Sequence, residues 1–444
     1  MDALARKHQR HVLTPWIPQG GYTAPVIVRG EGRYIFDEEG KRYLDLGSGM
    51  VATNLGHRHP KVVEAIQQQA ATLGYAPPML FNDKRAQLAE ELSAISPWGT
   101  TGEGCRTFFT TGGAESNDDA VRMTRALTGR SKILTAYRSY HGSTGGAIFL
   151  TGDNRRWSGE QVGGGHSIAR FFAPYPYRSP FSASTPEEET ARAIEHLERI
   201  LLHEDPRRVA ALLIEPAVGA NGMIVYPDDY LPALRELTEK HGILLVFDEV
   251  MTGFGRTGAA FGATRYGVVP DLITFAKGVT SAYIPLGGVM VRENLAKSFD
   301  ASPLPCGHTY AGHPMGVAAG LATVRAYREE GLLERAREIE TWIRDGLMAI
   351  SERHPTVGEA RGVGAFWGLE LVQDKKTREP LVPWHGAGLG VMTTLYAELR
   401  KRGVQTLGKY NVVFVTPPLT ITKPELDEGL AALDESLGVL ESQL

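Results

Sequence analysis

The sequence predicts an α/β protein with two domains, a larger one built on a mostly parallel sheet and a smaller α+β one. Short apolar segments alternate with longer segments of helical periodicity, which is typical of βαβ units. With 444 residues the chain is longer than one ordinary domain. Past Gly331 the alternation gives way to a long helical segment and isolated short strands. These three observations together predict the fold class.

The strand patterns divide the chain into parts. Residues 1–60 contain a hairpin-like pattern that is too small to fold alone, and we expect them to join the small domain. Residues 61–330 form the predicted large domain, and residues 331–444 form the predicted small domain. The strands predicted for the first two parts are Val26–Val28, Arg33–Phe36, Arg42–Asp45, Arg106–Thr110, Lys132–Tyr137, Val209–Glu215, Ile243–Asp248, Leu272–Ala276 and Gly288–Val291.

Apolar residues at i, i+3 and i+4 spacing predict helices that pack one face against the sheet. In the large domain these helices are Pro60–Leu73, Lys84–Ile95, Glu115–Leu127, Pro186–His203, Tyr230–His241 and Pro314–Arg328. The elements predicted for the small domain are a helix at Leu332–Arg353, the segment Gly364–Leu371, a helix near Gly390–Arg402, a strand at Val412–Val415 and a last helix from Pro424.

Composition and charge favour a soluble cytoplasmic protein. Hydrophobic residues make up 42% of the chain, charged residues 22%, and the formal net charge is -4, so nothing favours nucleic acid or an anionic membrane as a partner. Cys105 and Cys306 lie far apart without a disulfide framework, which suits a reducing compartment. Residues 1–10 are charged, unlike a signal peptide. No apolar run reaches the ~20 residues that cross a bilayer.

Two strand ends carry the residues that best indicate a function. The apolar segment Ile243–Phe247 is followed by Asp248, and the apolar segment Leu272–Ala276 is followed by Lys277. Ligands of open α/β sheets bind at the carboxyl ends of the strands. There an acid can keep a ring nitrogen protonated, and an amine can form an imine with an aldehyde cofactor. The pair therefore points to pyridoxal phosphate (PLP), although a turn-forming acid and a solvated lysine are the ordinary roles of such residues.

The turn between these two strands contains Gly253, Gly255 and Gly258 and formally matches the dinucleotide fingerprint G-x-G-x-x-G. The match is poor because the preceding strand ends well before the first glycine, at Asp248. In addition, no acidic residue ends a second strand about twenty residues further on, as that fold requires. We therefore expect a structural loop in which Arg256 faces the cleft.

A second glycine turn is a better candidate for binding a phosphate group. Thr110–Asn117 follows a predicted strand and opens a predicted helix, so its backbone N–H groups would converge on an anion at the helix N-terminus. Tyr140 and Glu215 lie at the ends of two further predicted strands. The ring of Tyr140 can stack on a flat cofactor, and Glu215 brings another acid to the same edge of the sheet. The acids and histidines show no ligand spacing that supports a metal site. We expect the Gly-rich segment Gly159–Gly165 to be a mobile surface loop.

Together these segments are similar to those of class III PLP-dependent aminotransferases, the ω-transaminase group of fold type I. The similarity runs from Val28 to the last predicted helix. It implies a large domain with a mostly parallel seven-stranded sheet sandwiched by helices. The motifs that carry it are Asn54–Pro60, Gly112–Asn117, Tyr140–Gly142, Glu215–Pro216, Phe247–Val250, Thr252–Gly258, Pro270–Asp271, Phe275–Gly278 and His308–Pro314.

The resemblance assigns the central chemistry to Lys277 and Asp248. Lys277 would bind the cofactor aldehyde as an imine and, once released, move a proton between substrate and cofactor. Asp248 would pair with the pyridinium nitrogen and keep the ring an electron sink. The other implied cofactor contacts are the backbone N–H groups of Gly113 and Ala114 at the phosphate, Tyr140 and Val250 on the two ring faces, Glu215 in the network beneath the ring, and Thr309 from the neighbouring subunit. The active sites would then lie between the subunits of a homodimer, or of a dimer of such dimers.

Two departures from the family pattern bear on the substrate pocket, whose implied walls include Met50, Val51 and Tyr140. Many members carry an arginine about ten residues before a Pro-Pro pair, and this arginine binds the substrate carboxylate. Here the stretch Thr406–Asn411 offers Lys409, a point charge rather than a bidentate fork. Val51 stands where relatives often have tryptophan, which implies a roomier or differently shaped pocket for the amine.

The resemblance implies an aminotransferase that moves the amino group of a terminal or non-α amine to pyruvate or a similar 2-oxo acid by a ping-pong mechanism. The candidate donors are taurine, β-alanine, 4-aminobutyrate and small (S)-amines. An aminomutase or a decarboxylase on the same fold is the alternative enzyme class. A non-catalytic α/β binding protein is the third hypothesis, and a colourless purified protein would favour it.

Overall fold

The computed structural model of the protein describes residues 3–20, 22–160, 165, 167–384 and 389–444. Within these ranges the chain forms three sheets with helices packed around them. None of the described helices is long and apolar enough to cross a membrane. Residues 161–164 of the predicted mobile loop Gly159–Gly165 lie outside the described residues.

In the large domain, each bound of a predicted strand lies within one residue of the bound in the structure. In chain order the strands are β1 (Ile27–Glu31), β2 (Tyr34–Asp37), β3 (Arg42–Asp45), β4 (Cys105–Thr110), β5 (Lys132–Ala136), β6 (Ile168–Phe171), β7 (Val209–Ile214), β8 (Leu244–Asp248), β9 (Leu272–Phe275), β10 (Gly287–Arg292), β11 (Val357–Val363), β12 (Phe366–Asp374), β13 (Glu379–Pro380), β14 (Val404–Gln405), β15 (Gly408–Lys409) and β16 (Val412–Val415).

Strands β4 to β10 form one seven-stranded sheet in the order β4-β10-β9-β8-β7-β5-β6. All its neighbouring pairs are parallel except the two that β10 makes with β4 and β9. This confirms the predicted mostly parallel sheet of seven strands. Parallel strands share one carboxyl edge, so the segments that follow β5, β7, β8 and β9 meet there. The sequence did not reveal β6, a short edge strand whose one partner among the described strands is β5.

Every predicted helix is present, and its predicted bounds lie within two residues of the observed ones, whereas the first helix and the six helices of four or five residues were not predicted. In chain order the helices are α1 (Ala3–His11), α2 (Ser48–Val51), α3 (Pro60–Thr72), α4 (Asp83–Ile95), α5 (Pro97–Thr101), α6 (Gly113–Thr128), α7 (Ala147–Leu150), α8 (Trp157–Glu160), α9 (Pro186–Glu204), α10 (Tyr230–Lys240), α11 (Gly262–Arg265), α12 (Glu293–Ala296), α13 (Pro314–Glu329), α14 (Leu332–Arg353), α15 (Leu389–Lys401) and α16 (Lys423–Glu441). Three of the longer helices, α3, α9 and α13, begin with proline, whose missing N–H group needs no partner in the first turn.

Both faces of the large sheet are buried. Along β8, Leu245 and Phe247 belong to one apolar cluster, whereas Val246 between them belongs to another. Alternate residues of a strand point to opposite faces, so the two clusters lie on the two sides of the sheet. Helix α6 contributes Met123 to the second cluster, and α10 contributes Leu234 to the first. This explains why β8 has a continuous apolar sequence rather than an alternating one.

Two smaller sheets complete the fold. Strands β11, β12, β16 and β15 form one of them, with β13 attached to β12. The predicted segment Gly364–Leu371 is part of the β11–β12 hairpin of this sheet. The other sheet has the order β1-β2-β3-β14, in which Leu44 of β3 pairs in parallel with Val404 of β14. The first strands of the chain thus share a sheet with residues near its end. The domain boundaries at residues 60 and 330 stay predictions.

Candidate active site

A cavity of about 380 Å³ opens at the carboxyl edge of the large sheet. Strands β5, β7, β8 and β9 each deliver a residue to its wall at or just beyond the strand end. The parallel arrangement therefore brings together positions that are far apart in the sequence. Seven residues predicted as cofactor contacts line this cavity, namely Gly113, Ala114, Tyr140, Glu215, Asp248, Val250 and Lys277.

The carboxylate of Asp248 is buried and surrounded by hydrogen-bonding groups. Its Oδ1 accepts a hydrogen bond from the backbone N–H of Val250 at 3.0 Å. Its Oδ2 accepts one from Asn117 Nδ2 at 2.8 Å, and His141 Nδ1 lies 2.8 Å from the same oxygen. Such partners are needed because an unpaired buried charge is costly. They fix the position of the carboxylate on the cavity wall.

The amine of Lys277 belongs to the same buried region. Strands β8 and β9 are parallel neighbours, and Asp248 lies opposite Thr274. Because Lys277 follows Thr274 closely in the chain, it lies just beyond Asp248 at the same edge of the sheet. The residue has a φ of 45°, a left-handed conformation that is strained for lysine and is found at functional sites. Burial lowers its pKa to about 8, against smaller contributions from Asp248 and Glu215 that raise it. The amine is therefore neutral more often than an exposed lysine, as a nucleophile requires.

The turn between β4 and α6 is suited to bind an anion. Helix α6 begins at Gly113, and its N-cap residue Gly112 has no side chain that could cap the first turn. The first N–H groups of a helix have no partner within it, so those of Gly113 and Ala114 are available at the cavity wall. A Cβ atom on Gly113 would come within 2.8 Å of Val250 Cγ2. Glycine at this position therefore keeps the backbone close to the cavity, and the arrangement fits a phosphate group.

Glu215 connects two further segments of the cavity. Its Oε1 accepts a hydrogen bond from the backbone N–H of Tyr140 at 3.0 Å, and its Oε2 accepts one from the N–H of Gly219 at 2.8 Å. Burial raises the pKa of Glu215 to about 7; His141 opposes this shift and Asp248 adds to it. This carboxyl group can therefore hold or release a proton near neutral pH.

A guanidinium group lies over the ring of Tyr140. The Arg155 guanidinium carbon is 3.7 Å from the ring centre. Arg155 Nε donates a hydrogen bond to Asp153 Oδ2 at 2.8 Å, and Nη2 bonds the same oxygen. Sequence analysis did not single out Arg155, because it follows no apolar strand and belongs to none of the motifs.

The predicted substrate-pocket residues Met50 and Val51 do not line the cavity. Met50 is 71% exposed. Val51 is buried in a small apolar cluster that includes Phe366 and Phe414. Their neighbour Ala52 lines the cavity instead. Val51 and Gly49 both have positive φ angles in this short kinked helix, and this backbone geometry is not evident from the sequence.

Lys409 and Thr309 also lie outside the cavity lining. Lys409 is half-buried at the end of β15, with its Nζ 4.6 Å from the ring centre of Tyr410. Thr309 is exposed, and its carbonyl oxygen accepts a hydrogen bond from Tyr75 Oη at 2.9 Å. The role of Thr309 toward a neighbouring subunit stays a prediction.

The prediction that Arg256 faces the cleft is wrong. Its side chain is almost completely buried and donates hydrogen bonds to Asn54 Oδ1 at 2.9 and 2.7 Å. It also donates to the carbonyl oxygens of Thr416 at 3.1 Å and Pro417 at 2.6 Å. The guanidinium group turns away from the cavity because these oxygens, contributed by distant segments, satisfy its donors. The glycine turn around Arg256 therefore has a structural role.

Sequence reasoning also missed the side-chain roles of Asn117 and His141. Both residues lie in segments singled out for other reasons, a phosphate turn and a stacking tyrosine. Their side chains instead converge on Asp248. The sequence did contain a signal for these roles. It combines a polar residue on a buried helix face with a strand-end carboxylate that needs hydrogen-bond partners.

Comparisons with known proteins agree with this geometry. A family model described as Aminotransferase class-III matches residues 18–437. A putrescine–pyruvate aminotransferase of Pseudomonas aeruginosa is 34% identical, over 96% of this chain and 93% of its own length. The 5-aminovalerate aminotransferase DavT of the same organism is 34% identical, over 94% of this chain and 95% of its own.

Solved structures with the same fold cover nearly the whole chain. A taurine:2-oxoglutarate aminotransferase from Bifidobacterium kashiwanohense, in complex with PLP and glutamate, superposes with a TM-score of 0.95 at 39% identity, covering 99% of this chain and 98% of that one. A thermostable (S)-enantioselective ω-transaminase from Thermomicrobium roseum superposes with a TM-score of 0.91 at 35% identity, covering 98% of both chains.

Proposed function

The chain belongs to the class III aminotransferases, which are PLP enzymes, and from this premise we propose that it is an ω-transaminase acting on a non-α amine and a 2-oxo acid. The observation that carries the proposal is one buried cavity that contains Lys277, Asp248 and the uncapped start of α6. The names of the relatives support a terminal amine as donor, because putrescine, 5-aminovalerate and taurine all carry one.

The cavity residues fit PLP by their chemistry. The residues that would hold it are Gly113 and Ala114 at the phosphate, Tyr140 and Val250 at the ring faces, Asp248 at the ring nitrogen, Glu215 in the supporting network and Lys277 at the aldehyde carbon. When bound, PLP supplies an electron sink that acidifies the C–H bond beside the substrate nitrogen.

Two side chains would then perform the proton chemistry. Lys277 would hold the cofactor through its Nζ. Once free, this Nζ, whose pKa burial lowers to about 8, would accept a proton from the substrate carbon. Asp248 would hold a proton on the ring nitrogen, and Asn117 and Val250 keep its carboxylate in place.

The proposed reaction has two halves that use one cavity in turn. In the first, the amine donor leaves as a carbonyl compound. In the second, pyruvate or a similar 2-oxo acid takes the amino group. The donors that we propose are taurine, β-alanine, 4-aminobutyrate or a small (S)-amine.

We also propose that the active protein is a homodimer. Thr309 lies outside the cavity and is exposed in the single chain, as expected for a residue that serves a neighbouring site. Met79, Leu80 and Phe81 form an exposed apolar segment, and such a segment is suited to an interface. Both features are compatible with sites that two subunits share.

A panel of amines, each combined with pyruvate and with 2-oxoglutarate, tests the proposed function. We expect a yellow purified protein, a borohydride-trapped adduct on Lys277 and ping-pong kinetics with at least one donor. Release of carbon dioxide would show that the protein is a decarboxylase rather than a transaminase. Turnover of a single amino substrate without an acceptor would show that it is an aminomutase. A colourless protein without an adduct would leave only a non-catalytic binding function.

A further inference from the structure

A second cavity, of about 350 Å³, shares no lining residue with the active-site cavity. Arg138 lines the second cavity, and Tyr140, two residues further along the chain, lines the first. Asp153 belongs to the wall of the second cavity and bonds Arg155, which covers the ring of Tyr140. The two cavities are therefore neighbours that are separated by side chains. The volume of the second one lies at the lower end of the range for small-molecule sites.

Aromatic side chains form much of the wall of the second cavity. Among them are Tyr137, Phe172, Tyr175 and Trp384. The ring centres of Tyr137 and Phe172 are 4.9 Å apart. The ring of Trp384 lies 4.5 Å from that of Tyr410, whose Oη donates a hydrogen bond to Asn154 Oδ1 at 2.8 Å. Rings that are held in this way favour a flat aromatic ligand, because aromatic groups stack on one another or meet edge to face.

The guanidinium group of Arg138 lies against two of these rings. Its central carbon is 4.1 Å from the ring centre of Trp384 and 4.9 Å from that of Tyr175. Among the residues that the structure describes, no carboxylate forms an ion pair with Arg138. Burial lowers the pKa of Arg138, although Tyr175 and Glu370 oppose this effect. A guanidinium group that stacks on rings keeps its N–H donors in its own plane, where they can bind a carboxylate in bidentate fashion.

The carboxylates of this region are already occupied by other arginines. Glu370 lies 2.5 Å from Arg178 Nε and 2.6 Å from Arg361 Nη1. Asp153 is paired with Arg155. Arg178 also lines the second cavity, and its Nη2 is buried without a hydrogen-bond partner in the described part of the chain. The cavity wall therefore offers a cation without a carboxylate partner and a buried donor without an acceptor, and both favour an anion.

We propose that the second cavity is a binding site for a small aromatic carboxylate, whose acidic group contacts Arg138 and whose ring lies against Phe172 and Trp384. The bound molecule is not a substrate of the transamination, because Lys277 lines the other cavity. An aliphatic acid lacks the ring and a neutral aromatic compound lacks the charge, so each would use only part of the site. The inference does not depend on the proposed function.

Isothermal titration calorimetry of the purified holoenzyme with three compounds tests the site. Benzoate has both the charge and the aromatic ring, benzamide lacks the charge, and cyclohexanecarboxylate lacks the aromatic faces. We expect benzoate to bind at least about 10-fold more tightly than benzamide, because a hydrogen bond to a charged group has that value. Benzoate should also bind about 2- to 10-fold more tightly than cyclohexanecarboxylate, because of the contacts between aromatic rings.

Substitutions in the cavity wall assign the binding to individual side chains. Arg138→Gln should raise Kd for benzoate about 10- to 100-fold and change Kd for benzamide less than about twofold. Trp384→Leu should raise Kd for benzoate about 2- to 10-fold. The chain provides a matched control, because the guanidinium carbon of Arg335 lies 5.1 Å from the ring centre of Trp342. Arg335→Gln removes an arginine that is stacked on a tryptophan elsewhere, and it should leave benzoate binding unchanged.

Crystals of the wild-type holoenzyme with 4-bromobenzoate locate the ligand without any substitution, through the anomalous scattering of bromine. We expect the bromine inside the second cavity and the carboxylate at Arg138. A bromine peak in the active-site cavity alone would overturn the inference. Equal affinities for benzoate and benzamide, or binding at crystal concentration only, would overturn it as well.

The binding test and the test of the proposed function have separate readouts. Calorimetry and diffraction measure occupancy of the second cavity, whereas the amine panel measures turnover in the first. A protein that turns over amines but does not bind benzoate would keep the proposed function and lose this inference. A protein that binds benzoate at Arg138 but has no turnover with any amine would keep the inference and lose the proposed function.

Discussion

His141 Nδ1 lies 2.8 Å from Asp248 Oδ2, and both side chains are buried beneath the cavity. Asn117 donates to the same oxygen. The carboxylate thus has a fixed orientation that depends on two segments outside its own strand. Substitutions at Asp248 therefore change a carboxylate that its neighbours hold in one orientation.

Asp248→Asn should lower kcat by about 100-fold or more, because the amide keeps the shape of the side chain but loses the charge that we propose acts on the cofactor nitrogen. The cofactor should still bind, as its absorbance will show. Glu249→Gln is the control, because Glu249 is also buried but bonds Thr252 and the backbone of Gly262, away from the cavity. Near-normal activity of Asp248→Asn would remove Asp248 from the mechanism.

Lys277→Ala should abolish turnover while the fold stays intact. The variant would lose both the proposed covalent attachment of the cofactor and the proposed proton acceptor. Steady-state assays, far-UV circular dichroism and borohydride trapping measure these effects. Lys240→Ala, which removes an exposed lysine paired with Glu198, should behave like the wild type. Appreciable transamination by Lys277→Ala would refute the assignment.

Lys277 should also make the stability of the cofactor-free chain depend on pH. Its pKa is lowered from 10.5 to about 8, so between these values the unfolded chain binds more protons and stability rises with pH. Below pH 8 the buried amine costs about 3 kcal/mol, which is regained as pH rises toward 10.5.

The comparison that isolates this effect is Lys277→Met. Urea unfolding at pH 7 and pH 10 should show the variant more stable than the wild type at pH 7, with the difference shrinking by about 2–3 kcal/mol at pH 10. A difference that does not change with pH would mean that the amine is not desolvated in the folded chain.

Arg256→Met should destabilise the protein by about 3 kcal/mol or more, because several buried oxygens lose their donor at once. The side chain bonds Asn54 Oδ1 and the carbonyl oxygens of Thr416 and Pro417. Denaturant unfolding measures the change. Arg207→Met, at an exposed arginine, should stay within about 0.5 kcal/mol of the wild type. An equally small effect at Arg256 would mean that these contacts contribute little.

Phe81→Asp should convert the proposed dimer into monomers, since it places a charge on the exposed apolar segment Met79–Phe81. Light scattering after gel filtration measures the mass. Thr309→Ala should leave the dimer intact and weaken PLP retention. A monomeric wild-type protein with full activity would contradict the shared site.

The sequence predicted those site residues whose position follows from strand ends. Asp248 and Lys277 each follow an apolar strand, so a parallel sheet necessarily brings them to one edge. Arg256 was predicted wrongly because its partners, such as Pro417, come from segments whose approach depends on tertiary packing. Arg155 was missed for a related reason, since its neighbours Tyr140 and Tyr410 are distant in the chain. Pairings between distant loops leave no periodic pattern in a sequence.

The parallel pairing of Leu44 with Val404 has a consequence for synthesis of the chain. Strand β3 emerges from the ribosome long before β14 exists. At roughly 5–20 residues per second, the intervening chain takes about 20 to 70 s to make. During that interval the β3 edge of the first sheet is unpaired and open to other strands. Efficient production of this protein should therefore depend on chaperones that bind its N-terminal strands during translation.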